Sequence, residues 1–115
     1  VSYDVSIGSF DGNCTFNVSG LFFDHIPAER SRGGLHELHG LTGRQASAVL
    51  SQAFKRIHKT YMTDCRPLPA AGAPIFCARY DPPNGWGSTV SALIFLGELL
   101  GACADHPRQR VTVHA

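Results

Sequence analysis

The sequence predicts an α+β fold: a two-layer α/β sandwich in which about four largely antiparallel strands lie under two helices, in the order β-β-α-β-α-β. Three observations carry that prediction. Apolar and polar residues alternate strictly over residues 1–7 and again over 13–19. One apolar stripe recurs at helical spacing from Ala46 to Tyr61. A nearly continuous apolar run, Val90 to Leu100, follows a capping serine or threonine. The 115 residues fit a single domain, 1–115, and 43% hydrophobic against 17% charged residues is a composition that fills a core rather than a disordered chain.

Val1, Tyr3, Val5 and Ile7 alternate with Ser2, Asp4 and Ser6, as in a half-buried strand. Gly8 to Gly12 reads as a glycine-bounded turn, so the next strand folds back into a hairpin. In that second strand Asn13, Thr15, Asn17 and Ser19 share the wet face and Cys14, Phe16 and Val18 the dry one. Its pattern can extend through Leu21, Phe22 and Phe23. Residues 27–43, PAERSRGGLHELHGLTG, combine four glycines with mixed charge and show no helix or strand period, which predicts an irregular surface segment.

Thr42 to Gln45 spells a T-x-x-Q capping box. Behind it Ala46, Val49, Leu50, Ala53, Phe54, Ile57 and Tyr61 form one face of a helix. Lys55, Arg56 and Lys59 lie toward its far end, where cations suit the helix dipole. Pro67, Pro69, Gly72 and Pro74 then break the chain, IFCARY (75–80) reads as a strand, and DPPNGWG as a tight turn. Ser88 or Thr89 caps a second helix running to about Cys103. That helix is shorter than the roughly 20 residues of a membrane span, so it is read as a central core helix or an oligomer face. Arg108 to Val113 closes the chain as an edge strand.

A formal net charge of +1 without a basic face gives no reason to expect nucleic acid as a partner. Cys14, Cys65, Cys77 and Cys103 are widely spaced, with no CxxC, which argues against a zinc ribbon and for two disulfides. The pairing stays open. Parallel helices would bring Cys65 to Cys103 and leave Cys14 for Cys77, while a Cys65–Cys77 staple is equally allowed. Asn13-Cys14-Thr15 and Asn17-Val18-Ser19 both match N-x-[ST], marking Asn13 and Asn17 as sugar acceptors. Val1 reads as the start of a processed chain. Together these features predict a secreted, extracellular protein.

His36-Glu37-Leu38-His39 is the segment with most chemical potential. It is not HExxH. Two histidines at i and i+3 would need a third metal ligand, from Asp24, His25 or His58. Two histidines and a glutamate also suit acid–base hydrolysis of a phosphodiester, the reading of a small secreted hydrolase or nuclease. A solvated pair is the simpler reading, so no catalytic residue, metal or cofactor is assigned. The segment FCARYDPP resembles the C-x-[KRM]-x-Y-D-P reactive segment of the Streptomyces subtilisin inhibitor family, with one residue missing between Arg79 and Tyr80. That resemblance implies a secreted serine-protease inhibitor with Arg79 as its bait residue. Trp86 reads as core packing beside the second helix, with a binding contact as the alternative.

In size, even cysteine count, sugar signals and element order the chain resembles the small secreted, cysteine-stapled α/β sandwiches of fungi that act as plant-pathogen effectors and killer toxins. The resemblance implies non-enzymatic recognition of a host or partner protein, a second effector included, in the host apoplast or host cell. Contacts are then expected on residues 27–43 and 81–87, from Arg30, Arg32, His36, Glu37, His39, Asp81, Asn84 and Trp86, with Arg79 beside them.

Overall fold

The N-terminal alternation builds the sheet. β1 (Ser2–Ile7) and β2 (Phe10–Thr15) pair antiparallel from Ser2 opposite Thr15 to Ile7 opposite Phe10. Only Gly8 and Ser9 are left for the turn, shorter than the 8–12 turn expected. Gly8 sits at φ +57°, where a side chain would be strained and would run into the His106 ring. Tyr3, Val5 and Ile7 are buried as the pattern requires. This computed structural model describes residues 2–64, 66–67, 75–76, 80–81 and 87–115.

The strand expected over 13–19 and beyond stops at Thr15. Its hydroxyl accepts the Asn17 N–H at 3.3 Å and opens a 3-10 turn, Phe16–Val18, that leads into α1 (Ser19–His25). Val18, Leu21 and Phe22 are spaced i, i+3, i+4 and are all buried. Helical spacing thus wins over the two-residue alternation from Phe16 onward.

α2 (Gly43–Asp64) starts at the capping box. The Thr42 N–H donates to Gln45 Oε1 at 3.0 Å, and the Gln45 N–H donates to Thr42 Oγ1 at 3.3 Å. Ala46, Leu50, Ala53 and Ile57 bury its apolar face. After α2, β3 (Arg66–Pro67) and β4 (Ile75–Phe76) pair, among the described residues, only with each other. Ile75–Phe76 therefore adds no fourth strand to the main sheet, and the element order among the described residues departs from β-β-α-β-α-β. Pro67 offers no ladder N–H, which suits a short separate ladder better than a central position.

α3 (Thr89–Asp105) carries its own capping box: the Ser91 N–H donates to Ser88 Oγ at 3.0 Å and the Ser88 N–H to Ser91 Oγ at 2.8 Å. Its Ala92, Phe95, Leu96, Leu99 and Cys103 are buried, whereas Ile94 is 58% exposed. α3 therefore buries one face in the core and leaves the opposite face open. Among the described residues no helix is long and apolar enough to cross a membrane.

β5 (Thr112–His114) pairs antiparallel with β1, giving a three-stranded sheet ordered β2-β1-β5 with β5 at an edge. The chain just before α2 is tied to the strand's approach. Gly40 N–H donates to the Val111 carbonyl and Val111 N–H to the Leu41 carbonyl, both at 2.8 Å. Among the described residues the result is a mixed α+β fold of three α-helices and a three-stranded antiparallel sheet, with the β3–β4 ladder apart from it.

Candidate functional site

The irregular segment after α1 is built around one carboxylate. Glu37, in the 3-10 turn Gly34–Leu38, is only 4% exposed. Its Oε1 accepts the N–H groups of Glu29 and Arg30 at 2.8 and 2.7 Å, and its Oε2 accepts that of Gly33 at 3.1 Å. Burial pushes this carboxyl upward, but the N–H groups of Arg30, Glu29, Gly33 and Ser31 outweigh burial and hold it below the usual glutamate value. Gly33 and Gly34, at φ +87° and +64°, bend the chain tightly enough for those donors to converge. Arg30 clamps the far side, its Nη1 donating to the carbonyls of Glu37 and His39 at 3.1 and 3.2 Å. What composition marked as irregular surface is thus an ordered loop with its own internal anion.

These bonds decide the fate of the histidine–glutamate segment. Glu37 is consumed inside the loop and is not the surface contact expected. His39 is exposed on one side, but its Nδ1 accepts the Val113 N–H at 3.0 Å, tying the loop to β5. His36 packs edge-on against Tyr3, with ring centroids 5.6 Å apart. Burial and then the Arg32 charge lower its pKa, against an opposing pull from Glu37. The three side chains serve three separate partners and do not converge on a reacting atom. Among the described residues no three His, Cys, Asp or Glu groups could hold a metal ion. Arg32 remains exposed.

Asp81 also differs from expectation. It is 7% exposed, and its Oδ1 accepts the Thr89 N–H at 2.6 Å and the Thr89 hydroxyl at 2.9 Å. A buried carboxylate at the first residue of α3 steadies the positive end of that helix rather than presenting itself to a partner. Beside it the Tyr80 hydroxyl donates to Asp24 Oδ2 at 2.8 Å. Arg79, Asn84 and Trp86 lie outside the described residues. So do Cys65 and Cys77. Cys14 and Cys103 are both buried and carry free thiols, and burial pushes each thiol up to about 11. Both sugar-acceptor candidates are exposed. The Asn13 amide donates to Ser2 Oγ and Asp4 Oδ1, both at 2.8 Å, on the outer face of the sheet, while Asn17 sits in the 3-10 turn.

Behind the anchored loop lies a groove of about 270 Å³. Ile26 and Pro27 from the end of α1, Leu41, and Ala48 and Val49 of α2 give it an apolar lining. His25, Glu29, Arg30, Gln52 and Arg56 supply its polar rim. The His25 ring is fixed by the Leu21 carbonyl at 2.7 Å from Nδ1 and by Thr60 Oγ1 at 3.0 Å from Nε2. Sequence reasoning assigned Arg56 to the helix dipole and overlooked Ala48 and Gln52. The available signal was their i, i+4, i+8 row beside Val49, which marks a second face of α2 next to the core stripe.

No protein-family model, no curated protein and no solved structure matches this chain.

Proposed function

We propose that this chain is a secreted, non-enzymatic binding protein of the effector or toxin-like kind, recognising a host or partner protein through the loop after α1 and the groove behind it. The observation that carries the reading is the commitment of Glu37, His36 and His39 to separate internal partners beside a partly apolar groove. Residues fixed in this way build a surface and leave no acid–base pair facing a substrate. A groove with apolar walls and a few polar rim groups is the form that recognition sites commonly take. Exposed sugar signals at Asn13 and Asn17 support the secreted setting.

The test combines turnover with recognition. Purified chain is assayed against RNA and peptide substrates alongside His36→Ala. It is also cross-linked in host extract, the captured protein is purified, and reciprocal binding is measured. The expected result is no turnover by either form and partner binding weakened by Arg32→Glu on the exposed loop. Hydrolysis by the wild type that disappears in His36→Ala overturns the reading.

A further inference from the structure

We infer that the groove between the 27–30 segment and α2 anchors one apolar side chain flanked by a carboxylate, carried on an exposed segment of the partner protein. The inference rests on the protein-binding reading and narrows it to one site and one chemistry.

A groove of about 270 Å³ has room for one large apolar side chain. A single buried anchor is what dominates the energetics of protein interfaces. Pro27, Leu41 and Val49 supply an apolar contact surface for that anchor.

Charge selects its neighbour. Glu37 is among the lining residues, but its carboxylate is satisfied by main-chain N–H groups of the loop. The charges left to meet an occupant are Arg30 and Arg56 against Glu29. Neither arginine has a carboxylate partner among the described residues. Arg30 is held through Nη1 by two carbonyls, so its guanidinium is fixed in place with donors to spare. Arg56 has only a 3.5 Å contact with the His25 carbonyl. A carboxylate entering here gains charge-assisted hydrogen bonds to groups already positioned, and a lysine or arginine meets repulsion from both.

The test pans displayed random peptides on the immobilised full chain. Enriched sequences are then synthesised with a fluorescent label, and binding is followed by polarisation to wild type, Ala48→Trp and Arg56→Gln. Both substituted positions are exposed on α2, and a thermal melt checks that each variant is folded. Enriched peptides are expected to place Leu, Ile or Phe beside Asp or Glu. Ala48→Trp, which fills the groove without touching its charge, should weaken binding by about tenfold or more, and Arg56→Gln by about tenfold. Changing the peptide Asp to Asn should cost wild type about as much and Arg56→Gln little, a comparison that needs no altered fold. Peptides that bind both variants as well as wild type, or that favour basic neighbours, overturn the groove inference and leave the protein-binding reading standing. Absence of enrichment over heat-unfolded chain overturns the inference and counts against that reading as well.

Discussion

At Glu37 two effects oppose each other. Burial disfavours the charge, and four main-chain N–H groups favour it by more, so the carboxyl stays ionised below its ordinary range. A carboxyl whose folded pKa is depressed contributes stability above its unfolded value, about 4.3, and loses it as pH falls through the lowered folded value. Glu37→Gln turns an amide NH2 toward donors that need acceptors. It should cost about 2–3 kcal/mol at pH 7, and the gap in urea midpoint between the two proteins should close as pH drops below about 4. His36 has the same pH sign for the opposite reason, since here the favoured deprotonated form is the neutral one. Its lowered pKa means the folded state favours the neutral ring, so its contribution is complete above about pH 6.5 and is lost as pH falls below that. His36→Phe keeps an aromatic edge for Tyr3 and should flatten the fall in stability between pH 7 and 5, read from chemical denaturation at each pH. If both proteins keep the same slope, His36 is not its source.

Among the elements, those written in local chemistry were legible from sequence and those decided by competition were not. Alternation in Ser2 to Ile7 and the Thr42 and Ser88 caps each translate directly into backbone hydrogen bonds. Thr42→Ala should therefore cost about 1 kcal/mol, and Leu50→Ala, which empties a fully buried position on α2, about 2–5 kcal/mol. Equilibrium urea curves separate the two, and a Leu50→Ala loss no larger than that of Thr42→Ala would place Leu50 outside the core. Residues 16–23 misled because Phe16 and Val18 fit a strand while Val18, Leu21 and Phe22 fit a helix, and a local pattern cannot rank the two. The loop misled for a different reason. Its order comes from a charged side chain turned inward at Glu37, a pattern that composition reads as solvated surface. The groove was legible only in part, because Arg56 and Ala48 acquire meaning once the chain from Ile26 to Arg30 has been folded across them.

For the whole molecule the open matter is what holds a core of this size closed. A 115-residue chain buries roughly two thirds of its unfolded surface, enough for an unstapled domain with little margin. Leu21 and Phe22 from α1, Leu50 and Ile57 from α2 and Leu96 and Leu99 from α3 are fully buried together with Val5 and Ile7 of the sheet. Cys14 and Cys103 belong to this same apolar cluster. They fill space there as small apolar groups, and pKa values pushed up to about 11 leave almost no reactive thiolate near neutral pH. Alkylation then becomes a reporter of global opening. In native, unreduced protein iodoacetamide should label Cys14 and Cys103 only as fast as the core unfolds, and in urea without reductant both should label completely, as read by peptide mass mapping. Fast native labelling would mean that the packing around these thiols is looser than the sheet and helices imply. Resistance in urea that yields only to reductant would mean that sulfur links close the core at these two positions. The stability assigned above to apolar packing would then belong in part to constraint of the unfolded chain.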